Sequence, residues 1–133
     1  MMRKVWMVLA AGLMVLGSVN LATRAAAVAS RRLTVRGVLL DMACYTRAGV
    51  TSRPHGKTCG RACLASGIPA GVLVAGKAWT LVTNPKPLAN YVGLTVKVVG
   101  QEDAATQTIF PAKIYRKMGK MWMAVHLKDQ WHK

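Results

Sequence analysis

Every cysteine of the chain falls in one short stretch: Cys44, Cys59 and Cys63, with His55 among them. Three sulfurs and an imidazole match, in softness and in number, a tetrahedral structural zinc site; copper(I) or iron would suit a less closed one. The expected cofactor is therefore one metal ion, zinc foremost, held by Cys44, His55, Cys59 and Cys63. Cys59 and Cys63 are four residues apart, so on a helix they share a face about one turn apart. The spacing is not the C-x2-C of zinc ribbons and knuckles. Asp41 is the one acid near the set and Tyr45 follows the first cysteine directly. Both are expected to support the ligands from outside, Asp41 as a partner for His55 or as an occasional ligand. A helix N-terminus, with Arg47, Lys57 and Arg61 nearby, would favour the thiolates that metal binding requires.

Two other chemistries use the same residues. Exported small domains usually oxidise their cysteines, and three of them leave one thiol over. A bridge inside one helical turn is awkward, so that reading pairs Cys44 with Cys59 or Cys63. The spare thiol could also be a nucleophile activated by His55. The metal reading itself implies no catalysis.

The shortage of acids narrows the function. Only Asp41, Glu102, Asp103 and Asp129 are acidic, against 19 Lys and Arg, for a formal net charge of +15. Paired-carboxylate hydrolysis, carboxylate-held calcium or magnesium, and Ser-His-Asp catalysis all need acids that this chain scarcely has. The basic residues are spread rather than run together, as solubility alone would ask. The functional alternative is an anionic partner met through Arg47, Lys57, Arg61, Lys113, Arg116 and Lys117. An acidic protein, an acidic polysaccharide or an anionic membrane surface is reachable outside the cytoplasm; nucleic acid is less so.

The elements that must position the cluster follow from pattern. Residues 1–29 carry the grammar of a secretory signal: Arg3-Lys4, an apolar run from Val5 to Gly17, and small residues from Ala25 to Ala29. Cleavage is expected after Ala29, leaving a periplasmic or secreted domain of residues 30–133, roughly 100 residues long, enough for one modest core. An uncleaved signal would instead anchor it to the membrane.

Leu33 to Asp41 reads as a strand that delivers the chain to Cys44, and residues 43–57 as a loop. Cys59 to Ser66 reads as a short helix, capped by Thr58 and closed at Gly67. Strands 71–75 and 78–82 meet at a Gly76-Lys77 turn, and a short helix begins at Asn84-Pro85 and ends at Gly93. Strands 94–100, 106–117 and 120–128 complete the chain. Strands with one helix between the third and fourth give a mainly β fold, an OB-like Greek-key small barrel, with the Cys/His segment inserted after the first strand.

Other residues have plainer accounts. His126 and His132 are remote ligands at best. Met118, Met121 and Met123 invite copper(I), but strand alternation places them in the core. Trp79, Trp122 and Trp131 could stack bases among cations, yet core filling is the simpler role.

The pattern Gly37-Val-Leu-Leu-Asp41-x-x-Cys44-Tyr45, His55-x3-Cys59-x3-Cys63, then Gly67-Ile-Pro69-x-Gly71 resembles a family of small exported bacterial proteins with an OB-like domain. The resemblance spans about residues 33 to 100. It implies that Asp41, Cys44, His55, Cys59 and Cys63 form one site.

Overall fold

The computed structural model describes residues 30–127; the expected signal (1–29), His132 and Trp131 lie outside them. Six strands form one sheet: β1 (Arg31–Asp41), β2 (Ala70–Val74), β3 (Lys77–Leu81), β4 (Thr95–Asp103), β5 (Thr108–Met118) and β6 (Met121–Val125). β1 lies between β2 and β4, β2 pairs β3, and β4 pairs β5, all antiparallel. A short parallel pairing of β3 with β5, Thr80 against Thr108 and Leu81 against Ile109, closes the ring. That connectivity is the OB-type Greek-key barrel, with β6 added on the free side of β5.

Alternation in the sequence builds the core. Leu39, Val72, Leu81, Val96, Val98, Ile109 and Ile114 point inward and are wholly or almost wholly buried. Each such side chain contributes roughly 1.5–3 kcal/mol of apolar burial. A 3₁₀ helix (Lys86–Tyr91) between β3 and β4 adds Leu88 and Ala89 to the same cluster. The β4–β5 register shifts between Val99 and Gly100, with Ala112 the extra residue on β5, a bulge that helps a strand bend around a barrel.

The insertion between β1 and β2 departs from expectation. Residues 43–57 are not one loop: α1 (Met42–Ala48) starts at the end of β1, and α2 (Arg53–His55) runs through a π-helical stretch (Gly56–Gly60) into α3 (Arg61–Ala65). The reason for α1 is Asp41, whose extended backbone and Cys44 N–H hydrogen bond make it a helix N-cap as well as a strand end. The second helix begins at Arg53, so Thr58 sits mid-helix; its hydroxyl donates to the Pro54 and His55 carbonyls instead of capping. Its other end is as expected, with Gly67 at positive φ and the Gly67 and Ile68 N–H groups bonded to the Leu64 and Cys63 carbonyls.

Two smaller corrections follow. The β2–β3 turn is Ala75-Gly76, both at positive φ, one residue earlier than expected. The three methionines are not core residues: Met118, Met121 and Met123 are 42%, 69% and 42% exposed. Alternation does put them on the face of Ile114 and Val125, but Met118 and Met121 lie where the β5–β6 hairpin has run past β4, and Met123 lies on the outer strand β6.

Candidate metal centre

Asp41 organises the site. It is the one buried charged side chain among the described residues, 1% exposed. One carboxylate oxygen accepts the Cys44 N–H at 2.8 Å and the other meets His55 Nε2 at 2.9 Å. Burial would raise its pKa, but the hydrogen bonds from Cys44 and His55 outweigh that and hold it below the ordinary carboxylate value. The same bonds leave no buried side-chain oxygen or nitrogen unsatisfied among the described residues.

The cysteines arrive from α1 and from the continuous helical run of residues 53–65. Cys44 comes from the first turn of α1, Cys59 from the π-helical stretch and Cys63 from α3. Cys44 Sγ lies 3.7 Å from Cys59 Sγ, which lies 3.9 Å from Cys63 Sγ. All three thiols are free. His55, Cys59 and Cys63 recur every four residues, so the helix presents them in line, and the wider π turn keeps that spacing on one face.

These residues could hold a metal ion, through two overlapping sets of donor atoms within 4.8 Å of one another: Cys44, His55 and Cys59, and Asp41, Cys44 and Cys63. Cys44 belongs to both. His55 faces the Cys44–Cys59 edge of the sulfur triangle, while Asp41 faces the Cys44–Cys63 edge and also bonds His55.

The thiols differ from expectation in charge. Cys44 is pushed up to about 12, by partial burial first, then by its contact with Cys59 and the negative charge of Asp41. Cys63 is raised too, by burial and the same neighbours. Without a bound cation, the helix and its basic residues do not outweigh a carboxylate and a second sulfur at closer range. At neutral pH, Cys44 and Cys63 are therefore thiols, and a metal ion must expel their protons to bind.

Sequence reading missed the residues that make the docking possible. A side chain at Gly56 would overlap the Val92 carbonyl, and one at Gly60 would lie 2.7 Å from Val92 Cγ1 and 3.3 Å from Asp41 Oδ2. The signal was there: each of His55 and Cys59 is followed by glycine, so the helix has a smooth flank that lies against Val92 and Asp41. Arg53 fastens the same joint, donating from Nη1 to the Val92 carbonyl at 2.7 Å.

The remaining candidates are dispersed. Tyr45 gives its carbonyl to Gly49 N–H, closing α1; its phenol makes no hydrogen bond to the cluster among the described residues. Arg47 is exposed in the last turn of α1. Lys57 and Arg61 line a small cleft of about 280 Å³ with Arg53, Gly56 and Asn90. Lys113 and Lys117 alternate with Tyr115 on one face of β5, while Arg116 points to the other and lies 5.3 Å over the Tyr91 ring. Trp122 meets Lys97 and Arg36, at 5.3 and 5.5 Å from its centroid, and His126 is an exposed residue beyond β6.

A larger cleft of about 660 Å³ lies away from the cysteines, near the β5 bulge, between Arg32, Leu33, Val82, Phe110 and Pro111. It has no ligand set and no acid. Neither cleft is lined by a cysteine, although Gly56 and Lys57 of the smaller one lie between His55 and Cys59 in the chain. Comparison with known proteins adds no guide: no family model, curated protein or solved structure matches the chain.

Proposed function

We propose that this chain is an exported metal-binding domain in which Cys44, Cys59, Cys63 and His55 hold one zinc ion, as a structural staple or as a metal-handling accessory. The observation that carries the reading is the sulfur spacing. Zinc–thiolate bonds of about 2.3 Å at tetrahedral angles put neighbouring sulfurs about 3.8 Å apart, and the measured contacts are 3.7 and 3.9 Å. Asp41 supports it further: with Nε2 bonded to a carboxylate, Nδ1 is the nitrogen left to ligate, and the carboxylate sets the tautomer and raises ligand basicity. Three thiolates around a divalent ion leave one negative charge, which Arg53, Lys57 and Arg61 on the same helical stretch offset. Export rests on the N-terminal signal grammar, and kinship with small exported bacterial proteins rests on the Asp-x-x-Cys-Tyr and His-x3-Cys-x3-Cys motifs.

The test is metal analysis of protein isolated from the periplasm, with a thiol count before and after chelation. One equivalent of zinc and three thiols that become reactive only with chelator is the expected result. A mass two hydrogens light with no metal, the Cys44–Cys59 disulfide, would overturn it. Affinity should rise steeply with pH through the neutral range, because protons leave the raised Cys44 and Cys63 thiols as the ion enters.

A second reading is favoured by the cleft between Arg53, Lys57, Arg61 and Asn90, which offers three cations to an anionic group. On that account the domain docks an acidic partner. Charge reversal at Lys57 and Arg61 should then abolish docking while the domain stays folded.

A further inference from the structure

The β5–β6 hairpin carries a set of soft donors that nothing above uses. Met118 is the direct cross-strand partner of Met121, and Met123 pairs with Arg116. Directly opposed residues share a face of the sheet, as do residues two apart on a strand, so the three thioethers stand together on one face. All three are substantially exposed. Arg116 is the last residue of β5 with a recorded partner on β4, so beyond it Met118 and Met121 overhang the barrel.

From this juxtaposition we infer that Met118, Met121 and Met123 form a second metal site, a thioether site for a soft monovalent ion, copper(I) or silver(I). Thioether sulfur selects such ions, and hard divalent cations need oxygen donors. No acid lies on the hairpin: Asp41, Glu102 and Asp103 are engaged elsewhere, in the cysteine cluster, beside Arg31 and in the turn after β4. The opposed pair Met118 and Met121 has Cβ atoms about 4.5–5.5 Å apart, and three rotatable bonds per side chain let the sulfurs close on one ion. Met123 Sδ accepts a long contact from Arg116 Nη2 at 3.9 Å, a weak partner that an ion would displace. A neutral ligand set beside Arg116 leaves the charge of the ion uncompensated, which makes the site one of exchange rather than storage.

The overhang stands on the same end of the barrel as the cysteine cluster. Leu39 near the end of β1 bonds Leu94 at the start of β4, and β4 begins where β5 runs out to the methionines. Arg116 also covers Tyr91, in the 3₁₀ helix between the two regions. The thioether site stands on its own residues and does not require zinc at the cysteines.

The test is methyl NMR of the full protein, ¹³C-labelled at methionine, titrated with silver(I), a redox-inert stand-in for copper(I). After the thiols take their share, the Met118, Met121 and Met123 methyls should shift together with one midpoint. Met42, packed against Gly71 beside the cysteine cluster, should follow only the first phase. Zinc should leave the three methyls in place. Met121→Leu preserves volume and fold, and should weaken the second phase by on the order of tenfold with unchanged thermal unfolding. Methyls that ignore silver, that answer zinc equally, or a Met121→Leu chain that binds as tightly as the parent would each overturn the inference, whatever the cysteines do.

Discussion

In the barrel, Leu39, Val72, Val96, Val98, Ile109 and Ile114 are out of solvent and pack on one another from four strands. The helical insertion from Met42 to Ala65 contributes only Leu64 as a fully buried apolar side chain, and its other buried residues are Gly56 and Gly60. The barrel is held by apolar area that needs no partner from outside. The insertion is held by the Asp41 hydrogen bonds, the Arg53 contact to Val92 and whatever its sulfurs bind. The two regions should therefore fail separately, and the insertion should fail first when the metal is taken away.

The largest expected effect is in the barrel. Ile114→Ala should lower the free energy of unfolding by about 2–5 kcal/mol, equally with and without zinc. Urea midpoints in both states check this, and a metal-dependent loss would break the separation. Next, stripping the metal from protein held at a free concentration one hundred times Kd should remove about 2.7 kcal/mol of protection from amides of Met42–Ala65. Amides of β1, β4 and β5 should keep theirs, and hydrogen exchange reads both sets at once.

Asp41→Asn tests the joint between the regions. The amide can still cap α1 but cannot set the imidazole as a carboxylate does, so zinc affinity should fall about 10–100-fold in a chelator competition. Its pH signature has a definite sign. Because the folded carboxyl is held below its ordinary value of 3.8, its stabilisation is complete above that pH and is lost as pH falls through the folded value. Metal-free parent protein should therefore lose stability more steeply below pH 3.8 than Asp41→Asn does, as followed by urea midpoints. The smallest effect belongs to Thr58→Ala. An N-cap loss would cost about 1 kcal/mol, whereas an exposed hydroxyl bonded back into its own helix should cost under about 0.5 kcal/mol, measured in the same titration.

The sequence was most legible where the force is local and periodic. Alternation named the strands, turn residues separated them, and their order around the 3₁₀ helix was enough to expect an OB-type ring. The cluster was legible as residue types. Its wiring was harder to see, because Asp41 is a strand end and a helix cap at once, and a reading by segments assigns it only one of these roles. Met118, Met121 and Met123 show the opposite failure: their alternation was real, but burial depends on whether another layer lies above that face, and the hairpin overhangs.

The residues alone determined the donor set, the positive charge and the strand pattern, since each is a property of side-chain chemistry or of a two-residue backbone repeat. Only the tertiary structure decided that Cys44 would lie 3.7 Å from Cys59, that Asp41 would be buried against His55, and that glycines would let the helix close on Val92. Those are contacts between segments distant along the chain, set by how helix and barrel pack, and no local pattern encodes a distance across such a joint.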